Sequence, residues 1–332
     1  MKSYYKNKTI LITGGAGSIG SELVKQLIEL EINTIIIIDQ SELALYNLEL
    51  NFKNHTQNNK LVFLLADIRN DIHLDKIFDA HTPDIVFHTA AYKQLPLLEK
   101  NPSEGVLTNI YATINLVKLS NKYKAENFML ISTDKAVEPT SVLGRTKRIA
   151  ELYVNNYKSS STKLSIIRFG NVYKSNGSVV EVFNKQIEQQ RPITLTHKDV
   201  ERYFISINDA CNSVIKACYI SSGGDTFIID MGKPQKIYNL VKQIIKNKKL
   251  PEPIEKEIKI IGLRPGEKLS EKLVEEGIRL NKTEYDKITY YKSFNHLILT
   301  ESSLKDLFLN ANQRNDKQVI EELKRILKEV DK

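Results

Sequence analysis

Cysteine is nearly absent: the 332 residues contain two, Cys211 and Cys218, seven positions apart in a stretch of helical pattern. So few can supply neither a disulfide framework nor a zinc site, and they read as small buried apolar residues; no metal is expected. Long apolar runs are also missing. Stretches such as Thr34 to Ile38 and Val62 to Ala66 are the length of a strand and far short of a bilayer span. The opening MKSYYKNKTILITGG enters a strand directly, without the apolar core of a signal peptide, so the protein is expected in the cytoplasm. Charge is plentiful, with a formal net of +8, yet no long block of like charges gathers and no aromatic-basic module accompanies the lysines. That pattern gives no support to nucleic-acid binding. It suits solvated surfaces, or attraction of a phosphorylated, anionic small molecule.

What is present is a regular alternation. KTILITGG, NTIIIIDQ, KLVFLLADI, PDIVFHTAAY, ENFMLISTD and KLSIIRFGNVY read as six buried strands, separated by helical patterns such as SIGSELVKQLIELE and GRTKRIAELYVNNYK. Alternation of this kind predicts an α/β fold with a parallel sheet covered on both faces, and right-handed crossovers make it a doubly wound Rossmann sheet. After Tyr173 the rhythm becomes irregular. We therefore expect a Rossmann domain over residues 1–172, with a return to the sheet near 203–232. A smaller C-terminal substrate-binding lobe is expected from 173–202 and 233–298, and a helical segment at 299–332. The amphipathic end, QVIEELKRILKEVDK, is expected to pack on the surface or at a subunit contact.

TGGAGSIGSEL follows the first strand and opens a helix, with Gly14, Gly17 and Gly20 spaced GxxGxxG. The first two allow a tight turn and close approach of backbone to a pyrophosphate, and the third lets helix pack on strand. Ser18 and Ile19 then present the free N–H groups of the helix start to the phosphates. Asp39 ends the second strand, nineteen positions after Gly20. A carboxylate there accepts from an adenosine ribose and repels a 2′-phosphate, which favours NAD over NADP. A plain strand-end turn would also account for Asp39 taken alone. Asp67 and Ile68 end the third strand, where adenine would lie, although capping explains Asp67 equally well. Ala90, after the fourth strand, completes the expected cofactor wall.

At the carboxyl end of the fifth strand stand Ser132, Thr133, Asp134 and Lys135, on the rim that faces ligands in open α/β sheets. Lys147 follows one helical turn after Leu143, so it could reach a nicotinamide ribose. A short-chain dehydrogenase places a tyrosine at the position held here by Leu143, which carries no proton. A capped helix start with solvated charges is the structural alternative.

LITGGAGSIGSEL, AAYKQLPLLE, ISTDKAVEPT, GRTKRIAE, RFGNVYKSNGSVV, RYFISINDA and GLRPGEKLSEKL occur in this order along nearly the whole chain. Together they closely resemble the nucleotide-sugar 4,6-dehydratases of the extended short-chain dehydrogenase superfamily, most of all the polysaccharide-biosynthesis branch acting on UDP-N-acetylglucosamine. Some members carry the tyrosine and others methionine, and Leu143 looks like the methionine type. Large members also have an N-terminal membrane region, which this sequence does not show. Gln94 stands where histidine is usual, and Tyr173, Lys174 and Asn176 replace commoner small or basic residues, changes that could alter the substrate pocket.

The resemblance implies an internal redox dehydration: oxidation at sugar C4, loss of water across C5 and C6, and return of the hydride to C6. It implies Lys135 as the C5 base, Asp134 as the acid at O6, and Thr133 bonding O4. A lysine acts as a base only where burial or neighbouring positive charge favours its neutral form. Without the tyrosine, O4 deprotonation falls to Asp134, to Lys147 or to a water on Thr133. Lys93, Asn171, Arg202 and Arg264 become candidates for the sugar or diphosphate, and Glu267 for a ribose hydroxyl. The expected partners are the nucleotide sugar and further copies of the chain. Rival readings are a UDP-sugar 4-epimerase, the same dehydration on a GDP-linked sugar, and a dinucleotide-sensing protein without catalysis; fold alone does not separate them.

Overall fold

A computed structural model of the chain describes residues 1–173, 175–248, 258–292 and 299–330. Nine strands make one sheet: β1 (Thr9–Thr13), β2 (Thr34–Asp39), β3 (Leu61–Leu65), β4 (Ile85–His88), β5 (Asn127–Thr133), β6 (Lys163–Phe169), β7 (Asp225–Ile229), β8 (Asn281–Lys282) and β9 (Ile288–Lys292). Their order across the sheet is β8-β9-β7-β6-β5-β4-β1-β2-β3. All pairs from β3 to β7 are parallel, as expected for a Rossmann sheet. The order reverses at β1, which lies between β2 and β4, and this switch point opens a crevice at the carboxyl ends of the strands.

Burial explains the unbroken isoleucines of β2. Ile35 and Ile37 pack on one face with Ile10 and Ile12, while Ile36 and Ile38 pack on the other with Leu11. The helices Ser18–Leu27 and Ile207–Ile220 cover the first face. Cys211 and Cys218 lie fully buried there as free thiols, and burial pushes the Cys218 thiol up to about 12. The second face is covered by Ala112–Lys122 and Val142–Asn156. Beyond them lies the final helix Asp316–Val330, which buries Val319, Leu323, Ile326 and Leu327 in the same core.

Antiparallel β9 pairs along the whole of β7, so residues 288–292 extend the sheet rather than the lobe to which the sequence reading gave them. Five residues, ITYYK, are too few and too polar to announce a sheet strand, and β7 supplies the missing half of the ladder. The lobe has its own apolar centre, in which Phe183, Val200, Phe204, Val241 and Ile245 meet. Residues 249–257, in the irregular stretch read as part of this lobe, fall outside the described segments, as does Lys174. Among the described residues no helix is long and apolar enough to cross a membrane.

A buried ion pair ties sheet to lobe. Arg168 on β6, 1% exposed, makes two hydrogen bonds to the fully buried Glu151, at 2.6 and 2.8 Å. Its other nitrogen reaches Glu275 at 3.0 Å, anchoring the segment that follows GLRPGEKL.

Candidate active site

Two adjoining cavities open along the switch point, of about 180 and 420 Å³. Gly14 begins the turn between β1 and the helix at Ser18, with a φ of +64°. A side-chain carbon there would fall 2.7 Å from the Ala90 Cα, so only glycine lets β4 close against the turn. Gly17 caps the helix without any side-chain hydrogen bond, leaving the first-turn N–H groups and the positive dipole facing the crevice. Gly14 and Gly17 line both cavities, Ser18 and Ile19 line the larger, and Gly20 sits behind, against the Gly14 carbonyl.

Asp39, Ile68 and Ala90 wall the smaller cavity. The Asp39 carboxylate accepts from the backbone N–H groups of Ala16, at 3.0 Å, and Ser41, at 2.9 Å. Asp67 is different. Its carboxylate is held by Arg69 at 2.6–3.0 Å and does not line the cavity. Burial alone would raise this carboxyl, but the Arg69 hydrogen bonds hold it below its usual range. Tyr92, which sequence reasoning did not single out, lines both cavities, fixed by hydrogen bonds between its backbone and the Asn109 side chain at 2.9 and 3.1 Å.

The larger cavity gathers most of the reactive groups. Ser132, Thr133 and Lys135 come from the end of β5, Leu143 and Lys147 from the helix Val142–Asn156, and Asn171 from the segment after β6. Lys93 and Gln94 face them, the Lys93 ammonium 3.5 Å from Ser175 Oγ. Burial lowers the Lys93 ammonium below its ordinary value; Glu181 opposes this and Lys135 adds to it. Ser132 Oγ is buried with no hydrogen-bond partner. Thr133 Oγ1 donates to Asp134 Oδ1 at 2.8 Å, and Lys135 Nζ donates to the same oxygen at 2.9 Å and to Asn171 Oδ1 at 3.3 Å. Asp134 itself is fully buried behind the wall, so Thr133 and Lys135 stand between it and the cavity.

Lys147 donates to the Ile131 carbonyl at 2.7 Å, and burial pushes its ammonium down to about 8. His88 is buried between Thr13 Oγ1 and Thr113 Oγ1, at 2.7 and 2.9 Å, and burial together with the Lys147 charge pushes it down to about 3. It is therefore neutral and structural. Gly144 is the support the sequence concealed. A carbon on it would lie 2.3 Å from the Lys135 carbonyl oxygen, so its bareness lets the helix hold the Lys135 turn.

Arg202, Arg264 and Glu267 are not brought to either cavity wall. The Arg202 guanidinium is committed to the carbonyls of Glu201, Lys268 and Leu269 at 2.7–3.0 Å. Glu267 accepts from Thr196 Oγ1 at 2.8 Å and from the Arg264 N–H at 3.1 Å. Tyr173 stacks on Phe204 with ring centres 4.6 Å apart, while Asn176 lines the larger cavity. Among the described residues no group of three or more His, Cys, Asp or Glu side chains is placed to hold a metal ion.

Comparisons with known proteins agree with this architecture. Over 99% of its length the chain is 40% identical to the uncharacterized membrane protein MJ1061 of Methanocaldococcus jannaschii, covering 98% of that protein. Over 92% it is 39% identical to the capsular polysaccharide biosynthesis protein CapD of Staphylococcus aureus, of which it spans only 52%. A UDP-glucose 4-epimerase of Rickettsia canadensis is 34% identical over 81% of the chain and 78% of its own length. Among solved structures, Pen from Bacillus thuringiensis superposes with a TM-score of 0.80 at 30% identity, covering 92% of this chain and 99% of that one. DesIV, a dTDP-glucose 4,6-dehydratase from Streptomyces venezuelae, shares the fold with a TM-score of 0.71 at 20% identity, over 80% and 88% of the two chains. Residues 10–293 match the family model described as polysaccharide biosynthesis protein, and the chain belongs to that family.

Proposed function

We propose that this protein is an NAD-dependent nucleotide-sugar 4,6-dehydratase that acts on UDP-N-acetylglucosamine. The observation that carries the reading is the Thr133–Asp134–Lys135 turn: two polar side chains on the cavity wall joined to one buried carboxylate, with apolar Leu143 and cationic Lys147 beside them. The dinucleotide fits the open helix start, the Gly14 cradle, Asp39 for a ribose and the walls at Ile68 and Ala90. Ser132 Oγ, buried and unpartnered, and the Lys147 ammonium supply polar groups at its nicotinamide end. Held by these residues, NAD would supply the hydride chemistry that an internal oxidation and reduction of the sugar needs.

The chain's own residues move the protons. Because Asp134 is fully buried, the O4 proton passes to the Thr133 hydroxyl as that hydroxyl's own proton passes to Asp134. Lys135, in its amine form, takes the C5 proton. Asp134 then returns its proton through Thr133 to the C6 oxygen, the C6–O bond breaks, and water leaves. Lys135 finally returns a proton to C5, which restores both side chains. Proton balance is complete without a tyrosine: the O4 proton departs with the water, and Leu143 only excludes solvent. Lys93, on the facing wall, and Asn171, bonded to Lys135, suit the sugar and its diphosphate.

The test is a proton NMR time course of the purified protein with UDP-N-acetylglucosamine in deuterated water. A new C6 methyl signal with deuterium entering at C5 is expected. Conversion to the galacto isomer without a methyl signal would make the protein an epimerase, the reading that the Rickettsia relative favours.

A further inference from the structure

Between the reactive turn and the helix Val142–Asn156 the chain passes through Val137, Glu138, Pro139, Thr140 and Ser141. Glu138 has a φ of +44°, in the left-handed region that a residue with a side chain rarely enters. It also precedes a proline, which restricts its backbone further. Glycine would sit there without strain, and glutamate does not. Strain of this kind persists only where surrounding contacts fix the backbone, and it gathers at functional sites. Here it lies three residues beyond Lys135.

The contacts that fix it come from the lobe segment GLRPGEKLSEKL. Val137 is fully buried, and its carbonyl accepts from Lys268 Nζ at 2.8 Å. The Glu138 carboxylate meets Lys272 Nζ at 2.9 Å, but both side chains are about half exposed, so that ion pair holds little. Thr140 Oγ1 donates to the Gly266 carbonyl at 2.9 Å. Gly266, with a φ of +73°, lies so close that an added side-chain carbon would fall 2.7 Å from Ser141 Cβ. The segment is itself fixed to the lobe, because Arg202 donates to the carbonyls of Lys268 and Leu269, and the Glu201 N–H to that of Leu269 at 2.9 Å. Lys268 is the more enclosed of the two lysines, its side chain 20% exposed, with Glu271 Oε2 3.6 Å away as counter-charge. Its hydrogen bond reaches the buried backbone directly beside the strained residue.

We propose that Lys268 is a positioning residue of the active site: from the lobe it grips the Val137 carbonyl, holds Glu138 in its left-handed conformation, and so sets Thr133 and Lys135 on the cavity wall. Gly144 lets the helix support the Lys135 carbonyl, and Lys268 supports the Val137 carbonyl from the lobe. The turn therefore keeps its shape only while the lobe is seated against it. The inference rests on the dehydratase reading for its kinetic readout alone; the grip is a property of the folded chain.

The experiment compares Lys268→Met, which keeps the stem and removes the donor, with the same substitution combined with Glu138→Gly. Glycine occupies positive φ without strain, so Glu138→Gly removes the need for the grip. Lys268→Met should lose roughly tenfold or more in kcat with KM little changed. Adding Glu138→Gly should recover about threefold or more of that loss, while Glu138→Gly alone stays within about threefold of the parent. A lysine with a merely structural role would lower the urea midpoint of Lys268→Met and leave kcat at the parental value. That result, or a Glu138→Gly that recovers nothing, would overturn the proposal. Carbonyl-¹³C NMR of valine-labelled protein reads the contact apart from catalysis. The Val137 signal, assigned by its loss in Val137→Ile, should move in Lys268→Met, and an unmoved signal refutes the grip. Should Lys268→Met not fold, Lys268→Gln, whose shorter side chain ends before the carbonyl, takes its place in every comparison. Should the parent make no methyl-bearing product, the dehydratase reading fails while the Val137 signal still reports on the grip.

Discussion

Gly144→Ala tests the idea that the active turn is held from behind. The added carbon would lie 2.3 Å from the Lys135 carbonyl oxygen and 3.0 Å from Pro139 Cβ, against 3.4 Å or more for ordinary contact. Restoring contact to the oxygen requires 3.4 − 2.3 = 1.1 Å of separation, and the obstacle is backbone, which cannot swing aside. Overpacking of this kind costs about 1–3 kcal/mol, offset by the roughly 1 kcal/mol by which alanine favours a helix over glycine. A net loss of up to about 2 kcal/mol is expected, read as a lower urea midpoint at unchanged slope. The kinetic effect should be larger in proportion. A displacement near 1 Å at Lys135 corresponds to a loss on the order of a hundredfold in kcat. Appearance of the C6 methyl signal measures it. A Gly144→Ala protein with parental midpoint and parental kcat would refute the reasoning, because the helix would then be shown not to clamp the turn.

Three further outcomes are expected. Burial holds Lys147 at about 8 against about 10.4 when free, so between these values the folded state binds fewer protons than the unfolded state. Stability should therefore rise with pH across that window by about 3 kcal/mol, and urea midpoints of Lys147→Met should lack the rise. Glu151→Ala strands the Arg168 guanidinium, 1% exposed, without its main partner, and should cost about 3–5 kcal/mol of unfolding free energy by urea titration. Asp39→Ala removes the acceptor of two backbone N–H groups at the ribose wall and should weaken NAD binding by roughly tenfold or more in calorimetry, with folding retained by circular dichroism.

The strands of the parallel sheet were legible because a strand buried on both faces must be apolar at every position, as Ile35 to Ile38 are. The glycine turn was legible for a related reason. Positive φ and contact with Ala90 leave no other residue at Gly14, and a fixed spacing brings the helix start to the same place. Such constraints are local, and local constraints are written in composition and periodicity.

Long-range partners are not. Asp67 reads as a ligand group until Arg69 folds back onto it, and Arg202 reads as a phosphate fork until two of its nitrogens are bonded to three carbonyls. The short strand at 288–292 exists only because β7 offers an open edge. The amino-acid order by itself determined the Rossmann sheet and the glycine turn at its first helix start. Tertiary structure decided which of those residues face the cavity, because a side chain's role depends on the donors and acceptors that folding brings within about 3 Å of it.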